Sequence, residues 1–413
     1  MHNNKTTPLK RELSRAGKAF FVPFFYCLHT NFKTGKSNLK IAFKVRGAPM
    51  PKIISVGICN PPHKINQSKT TEFIRDLFQE HFPDIDRLIR VFANSEIEER
   101  YFSESLEWYS KDHSFEEKNN TYIEKAISFG VKSIQNCLNN TNLLKKKITP
   151  KEIDAIIFIS SSGISTPSIE ARIMNQMDFG THTKRIPIWG LGCAGGASGL
   201  SRAFDYCKAY PDAKVLVVAV ELCSLTFQKN DFTKSNLIGT SLFADGTACA
   251  CIVGDEVEYQ ECSVSDVLPE FVSTQSTLMA DSEDVMGWDI KNTGLHVIFS
   301  KDIPSIVKSW LKGNVDEYLH ANQLDMNEIK HFIAHPGGKK VLDAYESALE
   351  IPRSMTEISR EVLRKQGNMS SVTVLYVLKE FMEKQLGNEG EYGLVTALGP
   401  GFSSELVLLQ WRK

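Results

Sequence analysis

The sequence has little net charge and offers no long apolar run near its basic N-terminal end. Its 413 residues contain 48 Lys and Arg against 49 Asp and Glu, a formal net charge of −1. No overall field therefore attracts the protein to nucleic acid or to anionic lipid. The apolar stretch FFVPFFYCL (20–28) is shorter than the roughly 20 residues that a transmembrane helix requires. We expect neither nucleic-acid binding nor stable membrane insertion.

Paired cysteines are also lacking. The nine cysteines include no CxxC pair and show no metal-like spacing with histidine. Cys249 and Cys251 alternate in ACACIVG, a pattern typical of small apolar side chains buried in a strand. Thiols scattered through a long chain are typical of the reducing cytoplasm rather than of a disulfide scaffold. The sequence therefore predicts a cytoplasmic protein without a metal site.

Residues 1–49 differ in composition from the rest of the chain. They carry ten Lys and Arg residues against one acid, Glu12. A secretory signal is one interpretation, although no small-residue cleavage site closely follows the apolar stretch. Met50 opens MPKIISVGICNPP, which is typical of a natural start. We therefore expect 1–49 to be an extension outside the fold, either a disordered tail or an upstream mis-start.

From Met50 onward, strand-like apolar runs alternate with helical periodicities. Continuous apolar runs such as AIIFIS predict strands covered on both faces, and therefore an α/β protein. No low-complexity linker divides the chain, which indicates two units packed tightly together. The predicted strands are 52–59, 155–160, 185–189, 214–220, 248–253, 331–334, 392–398 and 403–411. The predicted helices are 69–82, 123–138 behind a Ser114–Glu117 capping box, 303–319, 339–349 and 371–384.

The glycine-rich segment RIPIWGLGCAGGASGLSRAFDYC (185–207) places Cys193 at the turn between a predicted buried strand and a helix. A helix N-terminus presents free N–H groups and a partial positive charge, which favour a thiolate. The flanking glycines allow backbone or substrate to approach the sulfur closely. Taken alone, the segment is equally compatible with a reactive cysteine and with a buried packing cysteine.

Two further polar residues occupy similar junctions. His335, in IAHPGG, follows a predicted strand, and α/β proteins build sites at the carboxyl ends of strands. Asn368, in GNMSS, opens an apolar helix, and its structural role there would be that of an N-cap. Ser370 or Ser371 could cap this helix instead. Each residue alone has a structural explanation. Together, Cys193, His335 and Asn368 predict a Cys–His–Asn catalytic triad.

The motifs GLGCAGG, IAHPGG and GNMSS resemble the active-site motifs of type III polyketide synthases of the chalcone synthase family, particularly the bacterial alkylpyrone synthases. SSSGISTPS, ELCSLTF, SLFADG and ALGPG extend the resemblance from about Met50 to the C-terminus. The resemblance implies a homodimer with a thiolase-like fold, two similar halves in a five-layered αβαβα core. Residues 50–275 would form the half with the nucleophile, and 276–413 the half with histidine and asparagine.

The resemblance also implies roles for the triad. Cys193 would accept the starter acyl group from an acyl-CoA as a thioester, and His335 would stabilise its thiolate. His335 and Asn368 would then bind the malonyl-CoA thioester carbonyl and stabilise the enolate that decarboxylation leaves. The enolate would attack the acyl group on Cys193 and add two carbons. No metal or redox cofactor is expected, since loss of carbon dioxide drives each round.

Pocket positions follow from the same resemblance. Phe243 matches a gatekeeper between the coenzyme A tunnel and the cavity, where an aromatic ring leaves the malonyl carboxylate unsolvated. Its alternative role is that of a core phenylalanine. Arg87 and Arg90 match basic positions that meet the coenzyme A phosphates, although a solvated helix face is an equal alternative. The other implied pocket residues are Thr226, Gly239, Ser370, Ser161, Ser162, Val297 and Cys223.

Three positions depart from the plant enzymes. Val297 replaces a second gatekeeper phenylalanine, and Cys223 stands where threonine is frequent. The closing loop ALGPG lacks the glycine and phenylalanine that begin the plant version. The site should therefore be less aromatic, and roomier at Val297. We expect an aliphatic, long-chain acyl starter and alkylpyrone products formed by lactonisation, rather than a cinnamoyl starter and a chalcone.

Three other functions compete with this interpretation. An initiating β-ketoacyl-ACP synthase III shares the fold and the triad, but such enzymes typically show His-Gln-Ala-Asn where this chain has HPGG (335–338). A papain-like hydrolase also uses Cys, His and Asn, but its local cysteine motif is absent. A catalytically silent scaffold has no support, because all three triad residues are present. The sequence leaves open the starter length, the number of extensions and the mode of cyclisation.

Overall fold

The computed structural model of the protein describes residues 50–413. The predicted extension 1–49 lies outside the described residues. The strands are β1 (Lys52–Cys59), β2 (His63–Asn66), β3 (Glu99–Phe102), β4 (Ala155–Ile159), β5 (Lys184–Ile188), β6 (Lys214–Leu222), β7 (Asp245–Val253), β8 (Leu268–Leu278), β9 (Met286–Lys291), β10 (Gly294–Phe299), β11 (Ile329–Ala334), β12 (Tyr392–Gly399) and β13 (Ser403–Arg412).

Thirteen α-helices accompany these strands in the described part of the chain. They are α1 (Gln67–Phe78), α2 (Ile85–Leu88), α3 (Arg90–Ala93), α4 (Leu106–Tyr109), α5 (Phe115–Leu138), α6 (Ile169–Met174), α7 (Gly195–Ala209), α8 (Lys234–Leu242), α9 (Ile303–Ile306), α10 (Lys312–Ala321), α11 (Lys339–Leu349), α12 (Glu357–Gln366) and α13 (Thr373–Glu383).

Nine of the strands form a mixed sheet in the order β11-β12-β13-β8-β1-β7-β6-β4-β5. The strands β11, β12, β13 and β8 form one part of this sheet, and β1, β7, β6, β4 and β5 form the other. Strand pairing between the two parts is limited to Lys52 of β1 and Glu270 of β8. In one part β4 runs parallel to β5 and β6, and in the other β11 runs parallel to β12. Each part therefore carries parallel strands, whose carboxyl ends are where α/β proteins place functional groups.

Apolar side chains point from both faces of each part of the sheet, which builds a layered core. In β6, Val215 and Val217 face one hydrophobic cluster, while Leu216 and Val218 face another. The first cluster also contains α7 and α13, which lie between the two parts of the sheet. The two outer faces are covered by α5 on one side and by α10 and α11 on the other. The predicted five-layered αβαβα arrangement is confirmed.

Several predicted elements agree closely with the structure. The strand 52–59 and the helix 339–349 have the predicted bounds. The Ser114–Glu117 capping box is also present, because the Ser114 hydroxyl accepts the Glu117 N–H and the Glu117 carboxylate accepts the Ser114 N–H. The predicted helix 303–319 is interrupted by a π-helical turn at Val307–Leu311.

A strand lies at the position predicted for 185–189, but the prediction that it is buried is wrong. This segment corresponds to β5, which forms the end of the sheet and has mostly exposed or half-buried residues. Trp189, just after it, is 50% exposed. An edge strand pairs on only one side, so an apolar run alone does not reveal whether neighbours cover it.

Among residues 50–413, no helix is both long and apolar enough to cross a bilayer. Eight cysteines lie in this range, and all of them are free thiols. The same residues contain no group of three or more His, Cys, Asp or Glu side chains arranged to hold a metal ion.

Candidate active site

Cys193 lies in a tight turn, Gly192–Ala194, between β5 and α7. Gly192 has a φ of +46°, and a Cβ atom there would lie 2.8 Å from Cδ of Pro400. Only glycine fits this left-handed and crowded position. The Gly192 N–H donates a hydrogen bond to the Ser161 hydroxyl at 3.1 Å. The turn that carries Cys193 is therefore fixed from two sides.

The Cys193 thiol is buried, with 6% of the residue exposed. Burial raises its pKa to about 12, and the nearby Glu221 carboxylate acts in the same direction. Hydrogen bonds with Ser370 and Asn368 lower the pKa but do not outweigh burial. Burial and the Glu221 carboxylate thus oppose a thiolate at Cys193, while these hydrogen bonds favour one. The thiolate expected at the helix N-terminus stays a prediction.

His335 directly follows β11, and its backbone N–H donates to the carbonyl of Thr396 in β12 at 2.8 Å. The residue is 2% exposed, and burial lowers its pKa to about 3, so its ring is neutral. Within residues 50–413, neither ring nitrogen has a hydrogen-bond partner. Leaving buried polar atoms unpaired costs free energy. Such atoms indicate a place where a substrate supplies the missing partner.

Asn368 joins the nucleophile region to the histidine loop. Its side-chain N–H₂ donates to the carbonyl of Gly337 at 3.0 Å, and its side-chain oxygen accepts the Ser370 N–H at 2.8 Å. Its backbone pairs with Leu242 and Ala244 on either side of Phe243. An amide nitrogen has two hydrogens, and the one that Gly337 does not accept is directed toward the Cys193 sulfur, where a bound substrate would compete for it.

Ser370 has a φ of +48°, an uncommon conformation for a residue with a side chain. Backbone strain of this kind costs about 1–3 kcal/mol and occurs where the surroundings hold it in place. Here the strained residue brings a hydroxyl into hydrogen-bonding relation with Cys193. The structure thus places Cys193, Asn368 and Ser370 together, with His335 on the adjoining loop.

Glu221, at the end of β6, is a site residue that the sequence predictions missed. Its carboxyl is fully buried and accepts the Ser161 N–H at 3.0 Å and the Ser371 hydroxyl at 2.7 Å. Burial raises its pKa to about 7. A signal was present, because Glu221 is the only charged residue in the apolar run VLVVAVEL.

Ser161 and Ser162 lie behind the nucleophile rather than on the main cavity wall. Ser161 contacts Gly192, while the Ser162 hydroxyl accepts the Leu222 N–H at 2.8 Å. Ser162 also lines a separate cleft of about 240 Å³ together with Thr226. These two hydroxyls therefore hold the backbone of Gly192, just before Cys193, and of Leu222, at the end of β6.

A single cavity contains five of the predicted pocket residues. The structure brings together Thr226, Gly239, Phe243, Val297 and Cys223 along this cavity. Other wall residues come from segments that the sequence predictions did not connect with the site. They include Phe73 of α1, Phe102 of β3, Leu106 and Tyr109 of α4, and Ser224.

Phe243 is 8% exposed and packs against two aromatic rings that sequence reasoning missed. Its ring centroid lies 5.8 Å from that of Trp288 and 5.5 Å from that of Phe299. Trp288 stands directly opposite Val297 in the β9–β10 pair. The expectation of a less aromatic site is therefore wrong next to Phe243. A Cβ at Gly239 would lie 3.1 Å from Val297, so glycine permits this close packing.

Arg87 and Arg90 lie on α2 and α3 at the surface, and neither lines the cavity. The Arg87 guanidinium is 3.2 Å from the Asp84 carboxylate, and both side chains are exposed. An exposed arginine is compatible with phosphate binding and equally with a solvated helix face. Their coenzyme A role stays a prediction, which a comparison of KM for malonyl-CoA and malonyl-pantetheine in the double alanine variant would test.

A buried cysteine, histidine and asparagine beside an apolar cavity on this five-layered fold define a thiolase-fold condensing enzyme. Sequence models described as "Chalcone and stilbene synthases, N-terminal domain" and "Chalcone and stilbene synthases, C-terminal domain" match residues 38–257 and 270–411. The chain belongs to the chalcone and stilbene synthase family.

Relatives of known description support this membership. The chain is 50% identical over 364 residues to a "Putative chalcone synthase" of Bacillus subtilis (strain 168), covering 88% of this chain and 100% of the relative. It is 33% identical over 359 residues to 1,3,6,8-tetrahydroxynaphthalene synthase of Streptomyces peucetius subsp. caesius, and the match covers 87% of this chain and 93% of the relative. The structure also superposes on the crystal structure of the tetrahydroxynaphthalene synthase of Streptomyces coelicolor A3(2), a bacterial type III polyketide synthase. The TM-score is 0.81 at 30% identity, and the superposition covers 88% of this chain and 99% of the other.

The protein is therefore a type III polyketide synthase, an acyltransferase that condenses malonyl-CoA. The predicted family and thiolase-like fold are confirmed. The family match favours this activity over an initiating β-ketoacyl-ACP synthase. The N-terminal match begins at residue 38, within the segment that the sequence predicts to lie outside the fold. The predicted boundary between 50–275 and 276–413 stays a prediction.

Proposed function

We propose that the enzyme loads a long-chain aliphatic acyl group from acyl-CoA onto Cys193. It then extends this group with malonyl-CoA by iterative decarboxylative Claisen condensation and releases alkylpyrones. The observation that carries the proposal is that His335 has ring nitrogens without a hydrogen-bond partner, and that Asn368 directs an amide N–H toward the buried Cys193.

Loading begins with a neutral thiol and a neutral imidazole, because burial disfavours the charged form of each. His335 accepts the thiol proton as the Cys193 sulfur attacks the acyl-CoA carbonyl. The new carbon–sulfur bond to Cys193 replaces the bond to coenzyme A, and the departing coenzyme A thiolate takes a proton from water. His335 keeps the thiol proton as the N–H that it donates in the extension step.

Extension uses the two hydrogen-bond donors. The malonyl thioester oxygen would accept one N–H from His335 and one from Asn368. The bond to the carboxylate breaks, carbon dioxide leaves, and the electron pair forms an enolate whose charge the two donors stabilise. The enolate carbon attacks the acyl carbonyl on Cys193, and the Cys193 thiolate leaves, so the lengthened chain is a thioester of coenzyme A. The Cys193 sulfur then attacks that thioester, takes the chain back and releases coenzyme A, before the next extension or ring closure. The ring of Phe243 offers the malonyl carboxylate no hydrogen bonds, so the charged group is poorly solvated before it departs.

The cavity wall supports an aliphatic starter. Phe73, Phe102 and Leu106 give it an apolar surface, and Val297 occupies less space than a phenylalanine would. Trp288 and Phe299 pack against Phe243, and neither lines this cavity. The cavity wall itself carries the aromatic residues Phe73, Phe102, Tyr109, Phe227 and Phe243. Its apolar character and the small side chain of Val297 are therefore what support an aliphatic starter.

A competition assay tests the starter. With malonyl-CoA and equal amounts of a coumaroyl and a long-chain fatty acyl thioester of coenzyme A, we expect alkylpyrones to exceed coumaroyl-derived products at least about tenfold. Val297→Phe should shift the preference toward shorter starters, whereas Val297→Ile serves as the matched control. Product masses measure the ratio.

Three outcomes would contradict the proposal. Preference for the coumaroyl thioester would overturn the aliphatic starter. An aromatic product from malonyl-CoA alone would instead match the relatives named tetrahydroxynaphthalene synthase and, at 28% identity, phloroglucinol synthase of Pseudomonas fluorescens. A strict need for malonate on a carrier protein would favour the β-ketoacyl-ACP synthase alternative.

We also propose that the enzyme is a homodimer joined through the exposed end of the sheet. The edge strand β5 is followed by Trp189, which is 50% exposed, and Ile164 is 43% exposed. An open strand edge with exposed apolar side chains is unfavourable in a monomer. Sedimentation velocity is expected to give a dimer that Trp189→Glu weakens at least about tenfold, whereas Leu278→Glu at another exposed position should not. A monomeric wild-type protein would contradict this.

The free thiols of the described residues support a cytoplasmic location.

A further inference from the structure

A second polar chain enters the cavity away from the triad. Ser224 lines the cavity, and its hydroxyl contacts the carboxylate of Asp245 at 2.5 Å. The hydroxyl of Tyr109 is hydrogen-bonded to the same Ser224 oxygen. Asp245 is fully buried at the start of β7, two residues after Phe243. The loading and extension steps use none of these three groups.

The hydrogen-bond partners fix the direction of this chain. Asp245 also accepts the backbone N–H groups of Ser103 and Ser224, each at 2.7 Å. An ionised carboxylate only accepts, so the Ser224 proton must point toward Asp245. The Ser224 oxygen then accepts the proton of Tyr109 and keeps one further lone pair. Because Ser224 is 9% exposed and lines the cavity, that lone pair is available to a bound chain.

Asp245 lacks a direct ionic partner among the described residues. The Arg100 guanidinium is close enough to interact electrostatically, but its hydrogen bonds go to the carbonyls of Thr240 and Phe243. Burial raises the pKa of Asp245 to about 6. A buried carboxylate without an ion pair is a better proton acceptor than an exposed one.

We propose that Ser224 and Asp245 form a proton relay that deprotonates the poly-β-keto chain held on Cys193 and so promotes ring closure. The inference rests on the proposed polyketide function. It names the ligand of this part of the cavity as a 1,3-dicarbonyl thioester in its keto or enol form.

The step balances in protons and electrons. An enol O–H of the chain gives its proton to the Ser224 oxygen, while Ser224 passes its own proton to Asp245. The enolate oxygen attacks the thioester carbonyl, a carbon–oxygen bond forms, and the carbon–sulfur bond to Cys193 breaks. The departing Cys193 thiolate takes one proton from water, and Asp245 passes its proton through Ser224 to water before the next turnover. Tyr109 positions Ser224 by donating to its oxygen.

The test is Ser224→Ala, followed by intact-protein mass spectrometry after mixing with long-chain acyl-CoA and malonyl-CoA. We expect loading of the starter and the first extension to stay within about twofold of wild type. Pyrone release should fall about a hundredfold, as expected on losing a general base. Extended chains should therefore accumulate on Cys193. Ser224→Thr keeps the hydroxyl and should restore release.

Ser133→Ala is the matched control, because Ser133 is a buried serine that bonds only to Gly130 within α5. Release at the wild-type rate from Ser224→Ala, without extended adducts, would overturn the relay. Equal slowing of loading and release would also overturn it, since that pattern indicates a structural role. If the wild-type enzyme extends no chain at all, the proposed function itself fails, and that failure is visible before any variant is compared.

Discussion

Cys193→Ala is expected to abolish chain extension, with a loss of at least about a thousandfold, because a thioester on Cys193 carries the acyl chain in each proposed round. Decarboxylation of malonyl-CoA should continue at a measurable rate. Its enolate would be stabilised by His335 and Asn368, whose side chains the substitution leaves in place. Release of carbon dioxide and formation of extended products should therefore separate in this variant.

The two activities can be followed in one reaction, as carbon dioxide release from labelled malonyl-CoA and as product masses. Cys207→Ala is the matched control. Cys207 is a buried thiol in α7, the helix that follows Cys193, and it packs in the core and does not line the cavity. It should cost stability but leave the ratio of the two activities unchanged. Extended products from Cys193→Ala would mean that another residue carries the chain.

Asn368→Asp is expected to lower decarboxylation and extension together, by about a hundredfold to a thousandfold. The substitution removes the amide N–H that would face the enolate and introduces a carboxylate whose charge repels it. It also places a carboxylate oxygen against the Gly337 carbonyl, which now accepts the amide N–H at 3.0 Å. The joint loss of both activities distinguishes this variant from Cys193→Ala.

Asn314→Asp provides the control for a buried asparagine outside the site, since its amide N–H donates to the Ser404 hydroxyl at 3.0 Å. Initial rates of carbon dioxide release measure the effect for both variants. A wild-type rate of decarboxylation in Asn368→Asp would show that the amide donor does not stabilise the enolate.

Local sequence was sufficient where a residue type has few alternatives. Gly192 marks the turn before Cys193 because its left-handed φ and the contact with Pro400 admit only glycine. The strand 52–59 and the helix 339–349 follow from uniform apolar patterns that the tertiary structure preserves. The three glycine-marked motifs and their order predicted the triad.

Properties that depend on distant neighbours could not be predicted in this way. The helix N-terminus suggested a thiolate at Cys193, but it did not reveal the burial that raises the thiol pKa. It also did not reveal the hydrogen bonds with Asn368 and Ser370, from the other end of the chain, that lower it. Trp288 approaches Phe243 only because β9 pairs with β10. The exposure of β5 depends on which strand lies beside it, and no local pattern records that.

Polar residues within apolar segments were the signals that merited more weight. Glu221 ends a buried strand, and Asp245 directly follows the gatekeeper segment. A carboxylate in such a place requires hydrogen-bond donors, because an unpaired buried charge is very unfavourable. The serines that supply those donors lie next to the cavity.

The most direct test of the central claim is mass spectrometry of the Cys193 peptide from wild-type enzyme quenched during turnover with long-chain acyl-CoA and malonyl-CoA. The reaction proposed for Cys193, His335 and Asn368 predicts the starter acyl group on Cys193, followed by the same group lengthened by whole two-carbon ketide units. An unmodified Cys193 peptide in an enzyme that still forms product, or acyl groups on a different residue, would contradict it.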